Sequence, residues 1–325
     1  MKRRQWLIGG AALVAASALN AQPPRSRRVA YALAGTPGVV HLPSEAFKTR
    51  LGALGWVEGS TIEYVPGYAR GDSKHNESMI AELLAHKPDV LVVTFGVWAL
   101  LAKKLSPDVP IVFVVSSNPE KEGIVASLAR PGGNITGVST RERELLGKRI
   151  ELLKEISPGM RRVAVLVNSN VPGTAKTYME GYASHASKVG MELVSVDVRS
   201  ADDLRPAFER MGREGMQGLL NVADAIQLQI RDQLVAQAAR LRLIAVYVIE
   251  QFVEAGGLAS YGTDLVDQWR RAAIYVDKIL RGAKPADLPV EEPTHFHLAL
   301  NLKAAREQRI KLPQVVLARA DRVIE

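Results

Sequence analysis

The chain has 325 residues and no cysteine, which suggests two domains or one large one and excludes disulfides, thiol nucleophiles and zinc sites of the cysteine type. Its formal net charge is +8, but six positive charges and no negative ones fall in the first 28 residues, so the other 36 basic and 34 acidic residues leave residues 29–325 with only +2. Because no sustained Lys/Arg stripe appears later, nucleic-acid binding loses its main electrostatic support.

The first 21 residues have the layout of a bacterial secretory signal peptide. Residues 2–4 are basic, residues 6–16 form an apolar core, and small residues before Ala18 and Ala21 offer cleavage sites. A transmembrane anchor is the alternative, but the apolar core is shorter than the roughly 20 residues that a spanning helix needs. Arg3-Arg4 also looks like a twin-arginine export signal, and the absence of a following cysteine excludes the usual lipid anchor. We therefore expect a soluble, exported protein after cleavage.

Strands and helices alternate through the first half of the chain, after a short exposed linker at 22–27. Apolar residues at helical spacing and short runs of Val, Ile and Leu mark the elements. The predicted strands are 28–33, 61–65, 89–94 and 111–115, and the predicted helices are 40–54, 73–86, 96–105 and 123–129. The sequence RPGGN at 130–134 is a strong breaker that ends this first set.

The same alternation then restarts. The predicted strands are 162–167, 192–196, 218–222, 243–247 and 257–261, and the predicted helices are 174–189, 202–213, 226–241 and 265–280. Helices of this length between strands imply parallel sheets with right-handed crossovers. Two successive sets predict two doubly wound α/β domains, whose functional loops lie at the carboxyl ends of the strands and face a shared cleft.

The loops that follow these strands carry hydroxyls, amides and few carboxylates. Such groups orient a small ligand through neutral hydrogen bonds, and a ligand carboxylate suits the helix N-termini at Gly96 or Pro119. Capping and turn formation explain any one of these residues alone, whereas the whole set favours a binding site. The loops are 35–37, 94–96, 116–119, 168–170, 223–224, 250–251 and 261–264.

The sequence gives little support to an enzyme. It contains no G-x-S-x-G, no H-E-x-x-H, no P-loop and no strand-linked G-x-G-x-x-G. The six histidines do not fall at strand ends beside an acid. Asp224 with Glu250 is the candidate titratable pair for the alternative, an exported enzyme on two Rossmann-like domains. We expect no catalytic residue, metal or cofactor.

Six stretches of the sequence carry a family resemblance that covers nearly all of residues 28–325. They are LGALGWVEG at 51–59, VASLARPGGNITG at 125–137, GKRIELLKE at 147–155, EQFVEAGGLASYG at 250–262, RAAIYVDKILRGAKPADLPVE at 271–291 and LARADRVIE at 317–325. The combination resembles the substrate-binding proteins of an uncharacterised class of ABC transporters, related to tryptophan/tyrosine-binding transport components.

The resemblance implies a type I periplasmic-binding-protein fold, with two doubly wound parallel-sheet domains joined by a three-segment hinge. One domain is expected to comprise 28–138 plus 263–284, and the other 139–262 plus 285–325. The implied function is an exported receptor of an ABC importer, a monomer that passes a small molecule, such as an amino acid or another small planar or acidic solute, to a membrane permease. A ligand-sensing subunit of a membrane kinase is the remaining alternative.

The resemblance also assigns the ligand-binding residues one by one. They are Thr36, Thr94, Gly96, Ser117, Asn118, Asn170, Asp224, Glu250 and Tyr261. Two loops depart from the family pattern, because residues 94–97 replace the usual Gly-Thr-Pro-Ala and Asn118-Pro119 replaces the usual Asp-Pro. Losing that acidic side chain argues against the usual ligand class. Phe95 and Trp98 are either stacking partners for a planar ligand or packing residues of the hinge.

Overall fold

A computed structural model describes residues 25–35, 37, 41–69, 73–170 and 174–325. The predicted signal peptide, the beginning of the predicted linker and Thr36 lie outside the described residues. Arg27, which was assigned to the linker, is the first residue of a strand. Among the helices that the structure describes, none has both the length and the apolar character needed to cross a membrane.

The first sheet contains five parallel strands, and three helices connect strands of this sheet. The strands are β1 (Arg27–Leu33), β2 (Ile62–Tyr68), β3 (Val90–Phe95), β4 (Ile111–Val115) and β5 (Ile135–Gly137), and the helices between them are α1 (His41–Ala53), α2 (Ser73–Ala85) and α3 (Gly96–Leu105). The strand order is β2-β1-β3-β4-β5. From β1 the chain continues to β2 on one side and then to β3 on the other. At such a reversal of strand order a crevice opens between β1 and β3, at the carboxyl ends of the strands.

Seven strands form the second sheet. Its strands are β6 (Arg162–Val167), β7 (Glu192–Asp197), β8 (Gly218–Leu220), β9 (Ile244–Tyr247), β10 (Ala259–Gly262), β11 (His297–Asn301) and β12 (Arg322–Ile324). The helices of this half are α4 (Glu142–Ile156), α5 (Thr174–Ala186), α6 (Leu204–Arg213), α7 (Ala225–Gln229), α8 (Arg231–Arg240), α9 (Gln251–Glu254), α11 (Leu302–Gln308) and α12 (Gln314–Leu317). The helix α10 (Leu265–Leu280), described below, comes between β10 and β11. The order is β12-β11-β10-β9-β8-β6-β7. Neighbouring strands are parallel except β10 and β11.

The helix α10 (Leu265–Leu280) follows a strand of the second sheet but packs on the first. Its buried Trp269 meets the ring of Phe47 edge to face, with 5.5 Å between the ring centroids. The chain therefore crosses between the two sheets three times, after β5, after β10 and before β11. The predicted α/β class with two doubly wound, mainly parallel sheets is confirmed. The domain boundaries within the crossings stay a prediction.

Two predicted helices differ from the structure. Residues 123–129 form turns instead of a helix, because Gly123 has a φ of 71° and nearby backbone N–H groups find other acceptors. The N–H of Ala126 donates to the carbonyl of Pro131 at 3.0 Å, and that of Leu128 donates to the carboxylate of Glu120 at 2.8 Å. The predicted helix at 226–241 forms the separate helices α7 and α8, which meet at Ile230.

Buried side chains connect the two halves. One hydrophobic cluster contains Trp98 and Phe113 from the first half together with Tyr247 and Phe252 from the second. Tyr247 and Phe252 stack with 4.8 Å between their ring centroids. The carboxyl ends of both sheets therefore face each other across a narrow, partly apolar gap.

Candidate ligand-binding cleft

A small cavity lies between the two halves. Its volume is about 30 Å³, and about 490 Å³ when the surrounding space open to solvent is included. It adjoins the carboxyl ends of β3, β4, β8, β9 and β10, where functional loops of parallel sheets gather. The residues that line it are Thr94, Phe95, Val115, Thr140, Glu142, Val222, Ala223, Asp224, Leu228, Val248, Ile249, Phe252, Thr263, Leu265 and Gln268. The cavity is thus mostly apolar, with a few polar side chains.

Asp224 is a predicted binding residue that lines the cavity. Its side chain caps α7 by accepting from the N–H of Gln227 at 3.0 Å, and it also accepts from Nδ2 of Asn168 at 3.0 Å. Burial raises the pKa of the Asp224 carboxyl, and three hydrogen bonds, from the N–H groups of Gln227 and Ile226 and from the Asn168 side chain, offset this rise only in part. The capping and binding interpretations are compatible here, because a buried carboxylate with neutral partners favours a cation beside it.

Thr94 also lines the cavity, at the end of β3. Its hydroxyl donates to the carbonyl of Ala32 at 2.9 Å. This bond ties the end of β3 to the neighbouring β1. The hydroxyl oxygen is left with acceptor capacity alone.

Three predicted binding residues surround an internal carboxylate instead of the cavity. Glu122 accepts from the hydroxyl of Ser117 at 2.6 Å, from the N–H of Asn118 at 2.9 Å and from the hydroxyl of Ser116 at 2.7 Å. Its Oε2 also lies 3.5 Å from the position that a Cβ on Gly96 would take, at the N-terminus of α3. The Glu122 carboxylate therefore accepts hydrogen bonds from donors that were predicted to bind a ligand.

The remaining predicted residues have other partners. The N–H of Asn170 donates to Oδ1 of Asn168 at 3.0 Å, and the carbonyl of Tyr261 accepts from Nε of Arg149 at 2.7 Å. The carboxylate of Glu250 bonds to Arg322. None of these three is among the residues that line the cavity, so Asp224 lines it without Glu250.

Glu142, which lines the cavity from the start of α4, was not predicted from the sequence. Its carboxylate is paired with the fully buried guanidinium of Arg149, whose Nη1 also donates to the hydroxyl of Tyr182 at 3.3 Å. Burial opposes the charge of Arg149, but the Glu142 carboxylate and the tyrosine outweigh it and raise the pKa of the guanidinium. No helix was predicted at residues 142–156, so Glu142 at its start was not recognised as a residue that faces the cleft.

Gln268 is the second residue that sequence reasoning missed. It lies on α10, lines the cavity and is only 3% exposed. Within the part of the chain that the structure describes, neither its Nε2 nor its Oε1 has a hydrogen-bond partner. The available signal was a polar residue within the apolar face of an amphipathic helix.

The structure separates the two aromatic residues considered for stacking. Phe95 lines the cavity, together with Leu228, Ile249 and Phe252. Trp98 is buried in the core and meets Phe95 edge to face, with 5.4 Å between the ring centroids. Trp98 therefore supports Phe95 from behind, and Phe95 presents the aromatic surface.

Comparison with known proteins gives consistent matches. The model of the ABC transporter substrate binding protein family matches residues 42–324. A tyrosine-binding protein from Clostridioides difficile (strain R20291) is 23% identical over 271 residues, which cover 82% of this chain and 77% of the relative.

Two solved structures are also similar to this chain. A conserved domain protein from Vibrio cholerae O1 biovar El Tor has a TM-score of 0.83 and 26% identity, covering 92% of this chain and 100% of that one. An ABC domain from Streptococcus pneumoniae in complex with L-Trp has a TM-score of 0.81 and 24% identity, with the same coverage. The type I periplasmic-binding-protein fold is confirmed. The chain therefore belongs to the ABC transporter substrate-binding protein family.

Proposed function

We propose that the protein is the exported receptor of an ABC importer, which captures one small solute in the cavity and delivers it to a membrane permease. The observation that carries this proposal is a cavity lined from both halves, with Gln268 on the side of the first sheet and Asp224 on the side of the second. A solute that touches both halves binds best when they are close together, so it shifts the protein towards its closed state. No covalent chemistry is needed.

The solute has an amino group and an apolar, aromatic body. Asp224 suits the amino group, and Phe95, Leu228, Ile249 and Phe252 suit the body. The similar proteins are named for tyrosine binding and solved with L-Trp, which makes aromatic amino acids and their amine relatives the first candidates. An acidic solute fits less well, because two carboxylates and, among the described lining residues, no Lys, Arg or His face the cavity.

The place of action is the periplasm. The layout of residues 1–21 supports export and cleavage near Ala18 or Ala21, and membership of a substrate-binding family supports a position outside the cytoplasm. The mature chain acts as a monomer.

The test is ligand-induced stabilisation of the mature protein. A broad panel of amino acids, amines, small acids and nucleobases is screened by thermal unfolding, and at least one amino-bearing solute raises the melting temperature. The Asp224→Asn variant loses this response, whereas Asp232→Asn keeps it, because Asp232 is exposed and does not line the cavity. A panel that never raises the melting temperature contradicts the proposal.

A further inference from the structure

The cavity offers two carboxylates and several other hydrogen-bond acceptors, whereas the free side-chain donors among its described lining residues, the Gln268 amide and the Thr263 hydroxyl, are neutral. The hydroxyl of Thr94 donates to the carbonyl of Ala32 at 2.9 Å, and that of Thr140 donates to the carbonyl of Ser116 at 3.0 Å. Both hydroxyls therefore present only lone pairs to a solute. The carboxylates of Asp224 and Glu142 add further acceptors. A solute that supplies donors, above all a charged one, therefore suits this cavity best.

Arg149, Ser117 and Asn118 could bind a solute carboxylate, but their donors are already used, which leaves, among the described lining residues, only neutral side-chain donors such as the Gln268 amide. The guanidinium of Arg149 is bonded to Glu142, Tyr182 and the carbonyl of Tyr261. The hydroxyl of Ser117 and the N–H of Asn118 are bonded to Glu122. A carboxylate buried without such partners is strongly disfavoured.

The charges around the cavity also disfavour a solute that carries a carboxylate. Glu142 and Arg149 cancel each other as an ion pair, which leaves Asp224 as one uncompensated negative charge. A solute with a single positive charge neutralises it. A zwitterion brings a second negative charge that has no basic side chain to meet among the described lining residues.

Gln268 points to a second, neutral group on the solute. Buried side-chain amides nearly always have partners, yet among the described residues both polar atoms of Gln268 lack one. The amide offers an NH₂ group with two donor hydrogens beside an acceptor oxygen. A phenol hydroxyl, which both donates and accepts, can satisfy either atom of the amide.

We infer that the solute is an arylalkyl amine without a free carboxylate, held by Asp224 at its ammonium group and by Gln268 at a neutral polar group on the ring. This inference rests on the proposed receptor function and names its substrate class. The apolar walls take the ring, and Asp224 and Gln268 bind opposite ends from the two halves of the protein.

Four probes test the inference by calorimetric titration of the mature protein after removal of bound small molecules. They are tyramine, L-tyrosine, phenethylamine and 3-(4-hydroxyphenyl)propanoate. Tyramine binds at least about tenfold more tightly than L-tyrosine, and the propanoate does not bind. L-Tyrosine binding as tightly as tyramine overturns the amine assignment and leaves the receptor function intact. No binding of tyramine also overturns it, whereas the receptor function fails only with the broad panel.

A variant tests the role of Gln268. Gln268→Leu weakens tyramine about tenfold and leaves phenethylamine, which lacks the hydroxyl, unchanged. Gln308→Leu is the matched control, because Gln308 is also buried with an unpartnered Oε1 among the described residues but does not line the cavity. Equal weakening of both amines by Gln268→Leu indicates a packing role and overturns the assignment of Gln268.

Discussion

Asp224, the proposed contact of the solute's ammonium group, also predicts a pH dependence for the empty protein. Burial raises the pKa of its carboxyl in the folded state, whereas the unfolded chain has the ordinary value of about 3.9. A raised folded pKa gives a stability contribution that is complete below the unfolded value and is lost as pH rises through the folded value. The ionised carboxylate therefore lowers the stability of the empty protein at neutral pH.

We expect the free energy of unfolding of the wild type to improve relative to Asp224→Asn as pH falls from 7 through the raised pKa to about 4. Urea unfolding of both proteins across this range measures the difference. A difference that does not change with pH would show that the Asp224 carboxyl titrates alike in the folded and unfolded states.

The buried pair of Glu142 and Arg149 predicts a large effect from one substitution. Arg149→Met leaves the Glu142 carboxylate buried without its cation and costs about 3–5 kcal/mol. The matched control is Lys148→Met in the same helix, because Lys148 pairs with Glu151 at an exposed position and its loss costs less than about 1 kcal/mol.

The double variant Glu142→Gln/Arg149→Met separates the charge from the packing. It removes the unpaired carboxylate, so it recovers part of the stability lost in Arg149→Met, as measured by urea unfolding. Equal losses in the single and double variants would assign the effect to the packing of the Arg149 side chain.

The sequence predicts site residues that follow strands better than those that lie elsewhere. Thr94 and Asp224 come at or just after strand ends, so the rule for parallel sheets locates them. Ser117 and Asn118 also follow a strand, but the carboxylate of Glu122 takes their donors through a contact that spacing does not reveal. Gln268 lies within a helix, where the same rule does not apply.

The crossover after β10 depends on a glycine for steric reasons. A Cβ on Gly262 would lie 1.8 Å from the carbonyl oxygen of Val248, which is backbone and cannot rotate away. Gly262→Ala therefore displaces either β10 or the loop after β9, at a cost of about 1–3 kcal/mol or more.

Gly159→Ala is the control for this variant, since a Cβ there meets nothing within 4 Å. Urea unfolding compares the two, and we expect a clear loss for Gly262→Ala alone. Because the displaced loops line the cavity, solute affinity also falls in Gly262→Ala. Unchanged stability of that variant would mean that the close approach relaxes without cost.

Elements with strong local signals were predicted residue for residue, such as the helices 96–105 and 265–280 and the strand 111–115. Errors arose where tertiary contacts decide the backbone. Residues 123–129 were predicted as a helix, yet the N–H groups of Ala126 and Leu128 bond to Pro131 and Glu120. The short strands β5 and β12 exist because a neighbouring strand pairs with them, which a local pattern does not show.

At the scale of the whole molecule, the two-sheet arrangement follows from the alternation of strands and helices, which the sequence displays clearly. The position of α10 on the first sheet does not follow from alternation, because the helix comes directly after a strand of the second sheet. The family resemblance, by contrast, implied this return of the chain. That return brings Gln268 to the side of the cavity opposite Asp224, so the connectivity of the chain itself creates the two-sided site.

This two-sided site predicts that closure depends on contacts from both halves. Tyramine should reduce the radius of gyration of the wild type, measured by small-angle X-ray scattering, because it stabilises the closed state. Asp224→Asn and Gln268→Leu each remove a contact from one half, so both shift the tyramine concentration needed for compaction upwards, and Gln308→Leu does not. If only Asp224→Asn had this effect, Gln268 would not contact the solute, and closure would depend on another contact from the first half, for which Phe95 is the aromatic candidate.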